Sequence, residues 1–134
     1  MQSVFELKEE LPFDEVLFEN MKKKACALLE GAENGEYTQT VILRTVRGNE
    51  YSAVIKNALS KEKKEETELL EAMRVNNDTE ISSILCMWHD GGVENPSLVF
   101  RKMLYALNSS NADSGIFVKT SAGYAVLRLE NSLK

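Results

Sequence analysis

The sequence predicts an α/β protein, a three-layer α/β/α sandwich on a mixed five-stranded sheet, and three observations carry that expectation. Helical apolar stripes are interspersed with β-branched runs along the 134 residues. Two pairs of those runs are joined by links too short for the crossover that parallel neighbours need, so each pair is an antiparallel hairpin. One run, residues 80–92, is almost continuously apolar, as a strand covered on both faces must be.

Each element has a local cause. Asp14 can cap a first helix, with Phe13 and Phe18 at the two staple positions. Phe18, Met21, Ala25, Leu28 and Leu29 then recur at helical spacing up to a stop near Gly31, so the helix spans about 15–31. Residues 38–47 and 50–57 read as strands joined by Gly48-Asn49, a two-residue hairpin signal because both residue types tolerate positive φ. Ser60 can cap a second helix whose opening turns are charged and whose core face, Leu69, Leu70 and Met73, lies only in its carboxyl half. The central strand follows, closed by Gly91-Gly92. Asn95 as cap and Pro96 at the first helical position introduce a third helix striped by Val99, Phe100, Met103, Leu104 and Leu107. After the polar segment 108–115, "GIFVKT" and "YAVLRLEN" form the closing hairpin. A sheet with helices on both faces satisfies all these burial patterns.

With 43% hydrophobic residues the chain makes one domain, 1–134, with 1–12 expected as a loosely attached segment. Folding at this size buries roughly two thirds of the unfolded surface. No run approaches the ~18 apolar residues that span a bilayer, and the amino terminus is acidic where a signal peptide is basic, so no membrane partner and a cytoplasmic location are expected. Cys26 and Cys86 show no disulfide-framework spacing and are expected as buried thiols. A net charge of −5 argues against a nucleic-acid polymer as partner, and Lys22-Lys23-Lys24 fans round a helix as a solvated face.

The element order, with three local patterns, resembles the cytidine deaminase superfamily in its compact nucleoside-deaminase form. "IFVKTSAGYAVLRL" is similar to that family's closing hairpin, Pro96 falls where its Pro-Cys-x-x-Cys motif has proline, and "VIKNA" at 54–58 stands where it carries "NIENA". The resemblance implies strand order 2-1-3-4-5 and, since that family assembles, a homo-oligomer, dimer or tetramer. The departures decide more. The family's three zinc ligands fall on Lys64, Ser97 and Phe100 when "KEETELL" is laid on its "CAERTAI" motif. A catalytic zinc takes about three nitrogen, sulfur or acidic-oxygen donors, so no metal and no zinc cofactor are expected. Glu66 falls on the proton-shuttling glutamate, with no activated water to act on. The ribose-holding asparagine and glutamate become Val54 and Lys56.

The implied reading is a non-catalytic deaminase-like protein acting through ligand binding or self-association, with Lys56, Lys64, Ser97 and Phe100 as candidate ligand-binding positions and an unspecified small molecule. Two alternatives stand beside it: a divergent nucleoside or nucleotide deaminase or metal-free hydrolase centred on Glu66 and His89, and an unrelated α+β interaction module. His89, the only histidine, lies at the carboxyl end of the central strand, where open α/β sheets bind ligands. Cys86, three residues earlier, points to the other face. Seven charges in residues 61–68 make a closed pocket there costly, so that segment is expected to face solvent.

Overall fold

The computed structural model describes residues 11–33 and 35–134. The elements run α1 (Glu15–Glu30), β1 (Gln39–Thr45), β2 (Glu50–Ile55), α2 (Lys64–Val75), β3 (Ile81–Trp88), α3 (Leu98–Leu107), a 3-10 turn over Ser109–Asp113, β4 (Gly115–Thr120), β5 (Gly123–Arg128) and the single turn α4 (Leu129–Ser132). They build one sheet of order β2-β1-β3-β4-β5, with β3 central. Only β3 and β4 pair in parallel; the other three ladders are antiparallel. This is the mixed sheet and the strand order that the sequence reading expects.

Alternation along the strands divides the core in two. Ile42, Leu85, Met87 and Phe117 point to one face, where Phe18, Met21, Ala25 and Leu29 of α1 cover them. Val41, Leu43, Ile84, Cys86 and Ile116 point to the other, beneath Leu69, Leu70 and Met73 of α2, Phe100 and Leu104 of α3, and Leu129 of α4. On the α1 side the ring of Phe18 lies 5.3, 5.0 and 4.7 Å from those of Phe13, Phe117 and Tyr124. The staple expected between Phe13 and Phe18 is thus part of a wider aromatic cluster, and the cap holds too, with Asp14 Oδ1 accepting from Leu17 N at 3.0 Å.

Several boundaries differ from the sequence expectation, each for a local reason. The first hairpin places Arg44 opposite Glu50, so its link is longer than Gly48-Asn49; Gly48, at φ +91°, closes a turn by donating to the Thr45 carbonyl. Thr45 and Asn49 both donate to Asp78, and that shared anchor sets the longer loop. Ser60 does not cap α2: its hydroxyl accepts from Glu62 N in a turn before the helix, and Lys63 holds the cap position without a side-chain bond. At α3 the cap is Ser97, whose Oγ accepts from Phe100 N at 3.2 Å. Pro96 therefore precedes the cap, keeping Asn95 out of helical conformation. The polar segment after α3 is an ordered turn. Its fully buried Asn111 donates to the carbonyls of Thr79 and Leu104 and accepts from Ile81 N. The last strand stops at Arg128, where Leu129 turns into the core as α4.

Residues 1–10, the larger part of the expected loose segment, lie outside the described residues; Leu11 bridges Val126, its amide 3.1 Å from that carbonyl. Gly115 lies beneath this contact. A β-carbon there would stand 2.6 Å from Val126 Cγ1 and 3.3 Å from Leu11 Cδ1. Gly115→Ala is therefore expected to cost about 1–2 kcal/mol through overpacking, measured as a lower urea midpoint with an unchanged slope.

Candidate functional site

The fold brings the end of β2, the start of α2, the middle of β3 and the start of α3 towards one another, and most of the candidate residues belong to this region. Lys56 is exposed just beyond β2, its amide donating to Glu65 Oε2 at 3.3 Å. Lys64 opens α2 and is exposed. Glu66, in contrast, is only 2% exposed, which overturns the expectation that the charged opening of α2 faces solvent throughout. A helix that buries Leu69, Leu70 and Met73 on one face carries Glu66 inward with them, three residues before Leu69.

The cation beside Glu66 is Lys63, a residue the sequence reading did not single out. Its Nζ lies 3.9 Å from Glu66 Oε2 and donates to the Ala58 carbonyl at 3.4 Å, with only 13% of the side chain exposed. The i, i+3 spacing of Lys63 and Glu66 was the available signal. Glu66 Oε1 is buried without a hydrogen-bond partner, as is Asn95 Oδ1 in the loop before α3. Burial pushes the Glu66 carboxyl above the ordinary glutamate range; a bond from its own backbone and Lys63 pull it down, and Glu65 adds to the rise. Cys86 is completely buried, and burial, then the charges of Glu94 and Glu66, push its thiol far above the ordinary range. Such a thiol is no nucleophile.

A raised carboxyl has a defined linkage to stability. The cost of ionising Glu66 is absent below the unfolded value of about 4.5, grows as pH rises through the folded value, and is constant above it. Glu66→Gln is expected to flatten this limb of the stability profile, so that the unfolding free energy lost between pH 4 and 8 is smaller in the variant than in the parent. Urea denaturation between pH 4 and 8 checks it; an unchanged slope against pH would show that the carboxylate is not the source.

The remaining candidates are occupied in packing or lie elsewhere. Ser97 Oγ serves the α3 cap, and Phe100 is 1% exposed within the core against Leu69, Leu70 and Cys86. Arg101, one residue on, ties the helix start to the carboxyl end of the chain, its Nε donating to the Pro96 carbonyl at 2.9 Å and Nη1 to that of Ser132. His89 lies past the end of β3, exposed, its amide donating to the Thr38 carbonyl. It lines a cleft of about 270 Å³ with Cys26, Leu29, Glu30, Met87, Asp90 and Gly91 on the α1 side of the sheet. Glu66 and Cys86 lie on the other side, among the α2 and α3 residues. The opposite facing of Cys86 and His89 holds, and Glu66 and His89 do not form one site. Cys26 is exposed, correcting the expectation of a buried thiol: it follows Ala25, which alone takes the inward position.

Solved structures share this fold. Cytidine deaminase from Mycobacterium leprae is similar over 87% of this chain and 96% of its own, with a TM-score of 0.61 at 16% identity. Cytidine deaminase from Mycobacterium tuberculosis covers 85% of this chain and 92% of its own, TM-score 0.59, 16% identity. That from Burkholderia pseudomallei gives 84%, 93%, 0.53 and 11%. The fold is that of the cytidine deaminases. No protein family and no curated protein matches the chain by sequence. On this deaminase fold the three expected ligand positions offer an exposed ammonium, a hydroxyl bonded to the helix cap and a buried phenyl ring, a donor set that does not fit zinc. Among the described residues no group of three or more His, Cys, Asp and Glu side chains is placed to hold a metal ion. No helix among them is long and apolar enough to cross a membrane.

Proposed function

We propose that this protein uses a deaminase scaffold for binding or self-association, without zinc and without deamination. The supporting observation is the packing of Phe100: its ring fills the core beside Cys86 and Leu70 where a deaminase would carry a metal thiolate. Around it, the groups that remain polar are Glu66 and Lys63, which neutralise each other in part, and Asn95. A carboxylate with a raised proton affinity can hold a proton, but attack on a pyrimidine ring needs an activated water as well. Among the described residues, no group of three or more His, Cys, Asp and Glu side chains is placed to bind the metal that activates it.

Leu98, Val99 and Tyr105 on α3 are each about half exposed, apolar surface that supports assembly into a homodimer or tetramer. Metal analysis of the purified protein, paired with the absorbance assay for conversion of cytidine to uridine, tests the proposal. The expected result is no stoichiometric transition metal and no turnover; bound zinc with turnover would establish the enzyme instead. Sedimentation of the same sample reads the assembly state, a monomer at all concentrations counting against self-association.

A further inference from the structure

A second cleft, of about 310 Å³, lies at the carboxyl end of β3 and is lined by Glu36, Tyr37, Trp88, His89 and Asp90. None of Lys63, Glu66, Cys86 and Phe100, the residues of the α2–α3 junction, is among its lining residues. From its walls we infer that this cleft binds a small organic cation, an alkylammonium ion, between the rings of Tyr37 and Trp88 and the carboxylates of Glu36 and Asp90.

Three features carry the inference. First, the cleft combines two electron-rich rings with two carboxylates, the pairing that attracts an ammonium both through the ring face and through its charge. Second, those groups have no cation of the chain's own. Lys22 and Lys119 lie over Tyr124 at 5.6 and 5.2 Å, so the chain does satisfy a ring this way elsewhere. Among the described residues, none lies over Tyr37 or Trp88, and neither Glu36 nor Asp90 takes part in an ion pair. Third, the backbone and one ring of the cleft are anchored before any ligand arrives. The Tyr37 carbonyl accepts from Ala58 N and the Thr38 carbonyl from His89 N, while Trp88 Nε1 donates to Glu94 Oε2 at 2.9 Å and fixes its ring. A backbone and a ring already anchored lose less entropy on binding. The same carboxylates repel a phosphate or a nucleotide, so the charge of the cleft selects against the anions that a nucleoside-processing fold would otherwise bring to mind.

Trp88 is the chain's only tryptophan, so its emission reports the cleft directly. The experiment titrates the whole protein with choline chloride and, in parallel, with 3,3-dimethylbutan-1-ol, which has the same shape without the charge, at constant ionic strength set by sodium chloride. The expected result is a saturable change with choline and a response at least about fivefold weaker with the alcohol. Tyr37→Leu and Asp90→Asn, two exposed substitutions checked for retained circular dichroism, should each weaken choline binding about fivefold. No saturable change up to roughly 10 mM choline, an equal response to the alcohol, or choline binding of unaltered affinity in both variants would each overturn the inference.

Discussion

Replacing Asp78 by alanine is expected to lower the unfolding free energy by about 3 kcal/mol, although the residue lies far from the α2–α3 junction. Asp78 is 3% exposed, and its Oδ2 accepts from Thr45 Oγ1 at 3.2 Å, Asn49 Nδ2 at 2.8 Å and Tyr51 OH at 3.2 Å, with Arg47 Nε 3.9 Å from Oδ1. Its own amide closes the end of α2 on the Met73 carbonyl. One side chain therefore ties the β1–β2 hairpin to the loop between α2 and β3. Alanine leaves the buried Thr45 hydroxyl without its acceptor and frees the hairpin loop. Burial alone would raise the Asp78 carboxyl, but the three donors and Arg47 outweigh it and hold the group below the ordinary range. A depressed acid contributes stability that is full above the unfolded value near 4 and is lost as pH falls through the folded one. Urea denaturation should show the alanine loss at pH 7 and its shrinkage towards pH 2. A loss under about 1 kcal/mol at pH 7 would mean that water replaces the carboxylate for all three donors.

The sign of this linkage is opposite to that of Glu66, and the contrast shows why the sequence could not rank its acids. Asp78 and Glu66 are two of 21 acidic residues, each within a polar stretch. What separates them from the others is the company supplied by elements far away in the chain: Thr45, Asn49 and Tyr51 for Asp78, and Cys86 with the α2–α3 core for Glu66. No local pattern records such partners. Lys63 is a milder case, since its spacing from Glu66 was visible while the inward turn of that helix face was not.

The fold was far more legible, because its signals are periodic and repeated. Two short links forced two antiparallel hairpins, the apolar run of β3 demanded cover on both faces, and β1 to β5 fell into the order implied by the deaminase resemblance. The misplacements are all at element ends. Asn95, Ser97 and Ser60 are each chemically able to cap a helix, and the choice among them depends on which amide comes within reach once the chain is packed. Asn111 looked like loop for the same reason: its three side-chain hydrogen bonds go to Thr79, Ile81 and Leu104, at least seven residues away in the chain.

Phe100→Ala is expected to destabilise the protein even more than the loss of Asp78, by about 3–5 kcal/mol. The ring joins the α2, α3 and β3 contributions to one core cluster, touching the group formed by Leu69, Leu70, Ile84, Cys86 and Leu104, and nothing adjacent is free to move into its place without dragging a helix. Phe100→Leu keeps most of the volume and should lose only about 1 kcal/mol. The pair of variants separates two descriptions of the α2–α3 junction. If it is a closed core, the two losses should differ by several kcal/mol in urea denaturation, and alanine should destabilise without changing the unfolding slope. If it is a pocket that Phe100 merely covers, water can enter to reach Glu66 Oε1, an orphaned oxygen like Asn95 Oδ1, and the alanine loss should fall to about that of leucine. The closed-core outcome is the expected one, because an apolar cavity edged by a buried thiol and aliphatic side chains offers a water too few partners to offset what the phenyl ring contributes.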